Sequence, residues 1–185
     1  EIDDALGFES FVHTLTDLQA SGDLPLRVTH NDTKINNVLF DAETKKALCI
    51  IDLDTVMPGL SVNDFGDAIR FGASTAAEDE QDLSRVHFDL DLYETYVRGY
   101  LSTCGGSLTK AEVEMLPVGA KMMTLECGMR FLADHLAGDV YFHVSREDQN
   151  LDRARTQMQL VREMDSHWDE MRRIVDRIVL HVSQE

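Results

Sequence analysis

The 185-residue sequence contains neither a GxGxxG nor a GxxxxGKS/T string, and its first lysine is Lys34. It therefore lacks the usual backbone cradle for nucleotide phosphates. Basic residues are scarce throughout. Thirty-four Asp and Glu stand against 17 Lys and Arg, giving a net charge of −17, which argues against nucleic acid or an anionic membrane surface as a partner. No run approaches the roughly 18 apolar residues of a membrane span, and no charged-then-apolar signal segment opens the chain. A cytoplasmic location is expected. Cys49, Cys104 and Cys127 are odd in number and lie among apolar neighbours, so buried free thiols in a reducing compartment are expected. No CxxC pair or HExxH helix points to zinc.

What the chain does have is His30-Asn31-Asp32-Thr33-Lys34-Ile35-Asn36-Asn37, followed by Asp52 at the end of the apolar run Ala47-Leu48-Cys49-Ile50-Ile51. Val38-Leu39-Phe40 and Ala47 to Ile51 read as two strands joined by the polar stretch Asp41 to Lys46. In an antiparallel hairpin the start of one strand lies beside the end of the other, so Asn37 and Asp52 should converge at one edge. This spacing fits phosphoryl transfer, which asks the protein to orient an acceptor hydroxyl and to hold magnesium against phosphate oxygens. Asp52 offers a charged oxygen and Asn37 a neutral one, as magnesium prefers. Asp32 is then free to face the acceptor, and His30 to organise the loop. Lys34 reads either as a point charge for the transferred phosphate or as an exposed loop lysine. Asp54 reads as an added member of the metal shell or as a turn cap. Asp64-Phe65-Gly66 spells a metal-binding triplet but opens a helix, so Asp64 is expected to brace the catalytic loop by accepting backbone N–H bonds.

Elsewhere the pattern is helical. A helix is expected over Phe8 to Ala20, ended by Ser21-Gly22-Asp23, and Leu26 to Thr29 should be extended. Phe88, Leu92, Tyr96 and Tyr100 form a stripe, Thr109 and Glu112 make a capping-box pattern, and an apolar helix follows Pro117 to about Leu136. A last helix over roughly Asn150 to Val182 carries Leu151, Ala154, Met158, Val161, Met164, Trp168, Met171, Val175 and Ile178 at three- and four-residue steps. That stripe is either a core face or a coiled-coil seam that would join two chains as a homodimer. Glu126, Arg130 and Asp134 are spaced for an intrahelical ion-pair ladder.

Several strings together resemble the aminoglycoside phosphotransferase-like small-molecule kinases, and within them the N-acetylhexosamine 1-kinases. They are Thr29 to Asn37, Cys49 to Gly59, Asp64-Phe65-Gly66-Asp67-Ala68-Ile69-Arg70, Leu125-Glu126 with Gly128 to Leu132, Gly138 to Phe142, and Asn150 to Arg155. The resemblance implies a mainly α chain with a small β-hairpin, the C-terminal lobe of a protein-kinase-like α+β fold. The catalytic hairpin would occupy residues 26–52 and the helical remainder 63–183. It also implies ATP and Mg2+ as cofactors, Asp32 as the catalytic base, Asn37 and Asp52 as magnesium ligands, and Arg130 and Tyr141 as sugar contacts. Tyr141 alone would read as a half-buried aromatic. The implied reaction is phosphoryl transfer to the anomeric hydroxyl of an N-acetylhexosamine. The other readings are a related kinase for an aminoglycoside or other small alcohol, and a non-catalytic lobe that binds a partner or metabolite. The chain begins with Glu1 and only residues 1–29 precede the motif, too few for a five-stranded lobe. The expectation is thus a fragment whose N-terminal nucleotide-binding lobe is absent and which is inactive alone.

Overall fold

The computed structural model describes residues 1–182, so Ser183, the last residue of the expected helical remainder, lies outside the described residues. The chain is mainly helical with two small antiparallel sheets. Two short helices, α1 (Ile2–Leu6) and α2 (Thr14–Ser21), lead to strand β1 (Arg27–Thr29). The hairpin β2 (Val38–Phe40) and β3 (Ala47–Ile50) follows, and then β4 (Met57–Gly59). The helical part comprises α3 (Ser61–Gly72), α4 (Leu90–Cys104), α5 (Lys110–Glu114), α6 (Leu116–Leu136), α7 (Gln149–Ser166) and α8 (Trp168–Val182).

The N-terminal helix is shorter than its periodicity suggests. Residues 7–13 form turns because Phe8, Phe11 and Val12 are drawn against Leu125, Met158 and Val161. Phe8 and Phe11 also flank the buried Lys121 ammonium, at 4.9 and 4.5 Å from their ring centres. Gly22, with φ 88°, ends α2 in the left-handed region that glycine tolerates. The Pro58-Gly59 segment, whose proline and glycine are unusual in a strand, is a strand. It pairs with β1 in the register Arg27↔Gly59, Val28↔Pro58, Thr29↔Met57.

The hairpin forms where expected, with Val38 opposite Ile50 and Leu39 opposite Cys49. Asp41 supports its turn by accepting the amides of Glu43 and Thr44 at 3.1 and 2.7 Å. Its faces, however, are open. Leu39, Phe40, Leu48, Ile50, Ile51 and Leu53 are all exposed. Cys49 is exposed with them and Cys104 and Cys127 are half-buried, which corrects the expectation of three buried thiols.

The core lies instead between α3, α4, α6, α7 and α8. In α4 the buried stripe is Tyr93, Val97 and Leu101, while Leu92 is exposed. Tyr96 and Tyr100 flank it as half-buried rings 5.6 and 5.2 Å from Phe65. The expected last helix breaks at His167 into α7 and α8. The break lets both segments turn their apolar stripe inward: Met158, Val161 and Met164 on α7 and Met171, Val175 and Ile178 on α8 are all buried within the chain. The stripe is therefore a core face, and no seam of these residues is left for a homodimer.

Two contacts fix the elements that carry the loop. Where α3 crosses α6, a Cβ on Gly66 would lie 2.2 Å from the Gly119 carbonyl oxygen, and one on Gly119 would lie 2.2 Å from that of Val62. Only glycine permits so close a backbone approach. At the other side Glu112, 1% exposed, accepts Arg27 Nε and Nη2 at 2.9 and 2.7 Å, Ser61 Oγ at 2.7 Å and the Thr109 amide at 2.7 Å. With Glu112 N bonded to Thr109 Oγ1, a capping box starts α5. Burial pushes the Glu112 carboxyl up, but Arg27 and the other donors outweigh it and hold it at about 2.

Replacing Gly119 by Ala should destabilise the protein by about 3 kcal/mol or more, since backbone must move to admit the methyl; urea unfolding checks this. A carboxyl with a depressed folded pKa contributes stability that is complete above its unfolded value, near 4.5, and is lost as pH falls toward 2. Glu112→Gln should therefore cost about 2 kcal/mol at pH 7. It should also show a smaller loss between pH 5 and pH 3 than the parent.

Candidate active site

The segment from His30 to Asn37 leaves β1 and crosses the end of the hairpin. It is suspended from α3. The Asp64 carboxylate accepts the backbone amides of His30 and Asn31, both at 2.8 Å, and its backbone oxygen accepts the Thr33 hydroxyl. Asn31 has φ 64°, a conformation that Asn tolerates better than most residues. Its side chain donates to the Thr55 carbonyl at 2.9 Å, and the Thr55 hydroxyl donates to the His30 carbonyl at 2.6 Å.

His30 ties two acids together. Its Nδ1 accepts the Asp32 amide at 3.3 Å, which leaves Nε2 protonated to donate to the Ile51 carbonyl at 3.0 Å, one residue before Asp52. This tautomer is assigned from the hydrogen-bond network.

Asp32 faces Lys34 and Asn37. Its Oδ2 accepts Lys34 Nζ at 2.9 Å and Asn37 Nδ2 at 2.7 Å. Asn37 Nδ2 also donates to the Asp32 carbonyl at 2.8 Å. Partial burial pushes the Asp32 carboxyl up, yet the bonds from Lys34 and Asn37 prevail and its pKa lies below the ordinary value. Lys34 is raised, first by its bond to Asp32 and further by the charges of Asp32, Asp52 and Asp67.

The Ile51 amide donates to the Asn37 carbonyl at 2.9 Å, which sets the residue before Asp52 against Asn37 at one edge of the hairpin. Asp52 is left-handed, φ 65°, and exposed, and no protein group among the described residues bonds its carboxylate. Asn37 is buried, with its amide nitrogen engaged and its oxygen left for another partner. One free carboxylate plus one carboxamide oxygen suits magnesium, which keeps several waters and is completed by substrate phosphates. Asp54 sits in the 3-10 turn Leu53–Thr55, exposed and without a bond among the described residues. It does not cap the turn.

Arg130 and Tyr141 come together further along α6 and beyond it. The Arg130 guanidinium lies 5.8 Å from the Tyr141 ring centre and 5.4 Å from that of Phe142, and Tyr141 is 73% exposed. The Glu126–Arg130–Asp134 ladder does not form. Asp134 instead accepts the amides of Val140, Tyr141 and Phe142 at 3.0, 2.8 and 3.0 Å and Asn150 Nδ2 at 2.9 Å, shaping the turn that presents Tyr141. Burial pushes Asp134 up and these donors bring it below the ordinary value.

Thr33, Thr55 and Asn31 were not singled out by sequence reasoning. Their roles rest on contacts across 24 to 31 positions, which no local pattern encodes. Asp67 and Arg70, buried on α3, form an ion pair at 3.1 Å, and Arg70 Nη1 continues to Glu78 at 2.6 Å.

Asp32 stands between a lysine and a carboxamide, near an unpartnered acid past a strand end, in a mainly helical chain with two small antiparallel sheets that fits a kinase-like α+β fold. Residues 3–101, just over half of the chain and including every residue of the loop, match the model of the phosphotransferase enzyme family (APH), and the chain belongs to that family. Membership implies ATP and a small-molecule acceptor. Among the described residues no helix is long and apolar enough to cross a membrane.

Asp64→Ala should cost about 2–4 kcal/mol in unfolding free energy because two backbone amides lose a charged acceptor. Asp64→Asn should cost less, retaining one acceptor oxygen; chemical denaturation of the two variants checks the order.

Proposed function

We propose that these residues form the catalytic lobe of an ATP-dependent kinase that phosphorylates a sugar hydroxyl, the anomeric one of an N-acetylhexosamine. The observation that carries this reading is Asp32, charged and presented between Lys34 and Asn37, with the free Asp52 beside them. Asp32 orients the acceptor hydroxyl and takes its proton. Asn37 Oδ1 and Asp52 would hold magnesium, which would neutralise charge on the phosphate oxygens. Asp54, exposed in the neighbouring turn, would add to their shell, and Lys34 would meet the transferred phosphate. His30 and Asp64 keep the loop in place. Arg130, without a carboxylate partner among the described residues, and the exposed Tyr141 offer a hydrogen-bonding cation and an aromatic face to the sugar. The open apolar face of the hairpin, Leu39 with Ile51, supports a seat for the nucleotide base and for a second, nucleotide-gripping lobe.

A coupled ADP-release assay of the intact protein with a panel of hexosamines, aminoglycosides and simple alcohols tests the acceptor. Turnover with aminoglycosides or alcohols but no hexosamine would reassign it to a related kinase. No turnover with any acceptor, together with unchanged partner binding on removal of Asp32, would favour a binding lobe. In the active protein Asp32→Asn should lower kcat by about 10²–10⁴-fold. Arg130→Ala should raise the sugar KM with a smaller effect on kcat, and an unchanged KM would remove Arg130 from the sugar site.

A further inference from the structure

Asn150, Arg153 and Gln157 stand at three- and four-residue steps on α7, which makes them a polar ridge along one face of that helix. The first two serve the turn that presents Tyr141. Asn150, fully buried, donates to Asp134 Oδ2 and Asp139 Oδ1, both at 2.9 Å, and Arg153 Nη1 donates to the His143 carbonyl at 3.1 Å. Gln157 is different. It is 2% exposed, and its Oε1 is buried with no hydrogen-bond partner among the described residues. Buried amide oxygens are seldom left so, because the hydration they lose is uncompensated.

Gln157 lines, with Arg70, Phe71, Ala76, Ala77 and Glu78, a cavity of about 60 Å³ between α3, α7 and the segment that follows α3. That is room for about two water-sized groups. Gly128 on α6 permits the close seat of Gln157, since a Cβ on Gly128 would lie 2.9 Å from Gln157 Cβ. The charges around the cavity are already matched. Arg70 Nε binds Asp67 Oδ1 at 3.1 Å, with Asp67 Oδ2 buried and unbonded, and Arg70 Nη1 binds Glu78 Oε1 at 2.6 Å. Glu78 Oε2 has Arg153 Nε at 3.9 Å, too far for a hydrogen bond. The Ser74 hydroxyl is spent on the Ala76 carbonyl at 3.0 Å. Two acceptor oxygens are thus left over, Gln157 Oε1 and Glu78 Oε2, beside carbon from Phe71, Ala76 and Ala77. A ligand cation would meet Arg70 and an anion would meet Glu78. A neutral hydroxyl can donate to either oxygen, and being donor and acceptor at once it answers the Gln157 amide in either orientation.

We propose that this cavity is a subsite for one hydroxyl of a neutral polyhydroxy acceptor, with Gln157 as its specificity-determining residue and Glu78 as the second acceptor oxygen. The ridge sets the subsite and the Tyr141 turn on one helix: Arg153, one turn before Gln157, holds the His143 carbonyl of that turn and neighbours Glu78. The hydroxyl seat and the exposed aromatic face therefore keep a fixed relation, which favours one arrangement of hydroxyls over its isomers. This inference rests on the reading of the acceptor as a sugar.

Ligand-observed NMR titration of the intact protein with N-acetylglucosamine, and with analogues that each lack one hydroxyl, tests the subsite. One analogue should bind the parent about tenfold more weakly than the full sugar, the factor carried by one hydrogen bond to a buried group. In Gln157→Leu the full sugar should fall to the affinity of that analogue, and the analogue itself should bind both proteins alike. Equal losses for the sugar and all its analogues in Gln157→Leu would mark a structural role, and unchanged affinities would mark a cavity that holds ordered water only. Either result overturns the proposal, as does failure of the parent to bind the sugar at all. If Gln157→Leu does not fold, Ala77→Leu decides. It stands at an exposed position on the cavity wall, fills the space from outside the core, and should abolish the same discrimination. Discrimination that survives Ala77→Leu would overturn the proposal equally. Equilibrium binding needs no turnover, so absence of ADP release would strike the kinase reading, while the subsite stands or falls on the analogue series alone.

Discussion

The Asp64 carboxylate is the contact on which the His30 to Asn37 loop depends. A loop that turns through a left-handed Asn31 cannot pair the amides of His30 and Asn31 within itself, and a buried amide without an acceptor is costly. Asp64 supplies both acceptors from one side chain, and its own carbonyl takes the Thr33 hydroxyl. The position of Asp32 is thus set by α3. That helix is in turn held by the glycine crossing with α6 and by Ser61 bonded to Glu112. The same Glu112 grips Arg27 on the strand that enters the loop, so both ends of the support meet at one buried acid.

An excess of acid gives each cation near the site a particular value. Lys34 is set among Asp32, Asp52 and Asp67, and Arg70 between Asp67 and Glu78. Arg130 is the exception, lying against Tyr141 and Phe142 in place of a carboxylate. Carboxylates that are bonded, such as Asp64, Glu112 and Asp134, shape the backbone. The unbonded ones, Asp52 and Asp54, lie at the open edge of the hairpin, where a cation can reach them. The division follows from burial: a buried carboxylate must be satisfied by protein, and an exposed one is free to bind something else.

The hairpin illustrates how a correct local reading can mislead about packing. Alternation and turn composition place β2 and β3 well, yet Leu39, Leu48, Cys49 and Ile50 are open to solvent. Apolar strands signal that a surface wants covering. They do not say whether the same chain covers it.

The loop motif, the hairpin spacing, the capping box of α5 and the helical character of residues beyond 60 were legible in the sequence, because capping, turn chemistry and periodicity act over a few residues. The family, too, is carried by such local strings. Other features were decided by tertiary structure: the break at His167, the pairing of β1 with β4, the diversion of Asp134 from Arg130 to three amides, and the isolated oxygen of Asp67. Each depends on which distant group arrives alongside, and a periodic pattern specifies only which face is apolar. By itself the sequence singled out the candidate acids, amide and lysine; the crossing of α3 over α6 decided where they stand, since only a fixed helix can hold a loop whose own amides have nowhere else to bond.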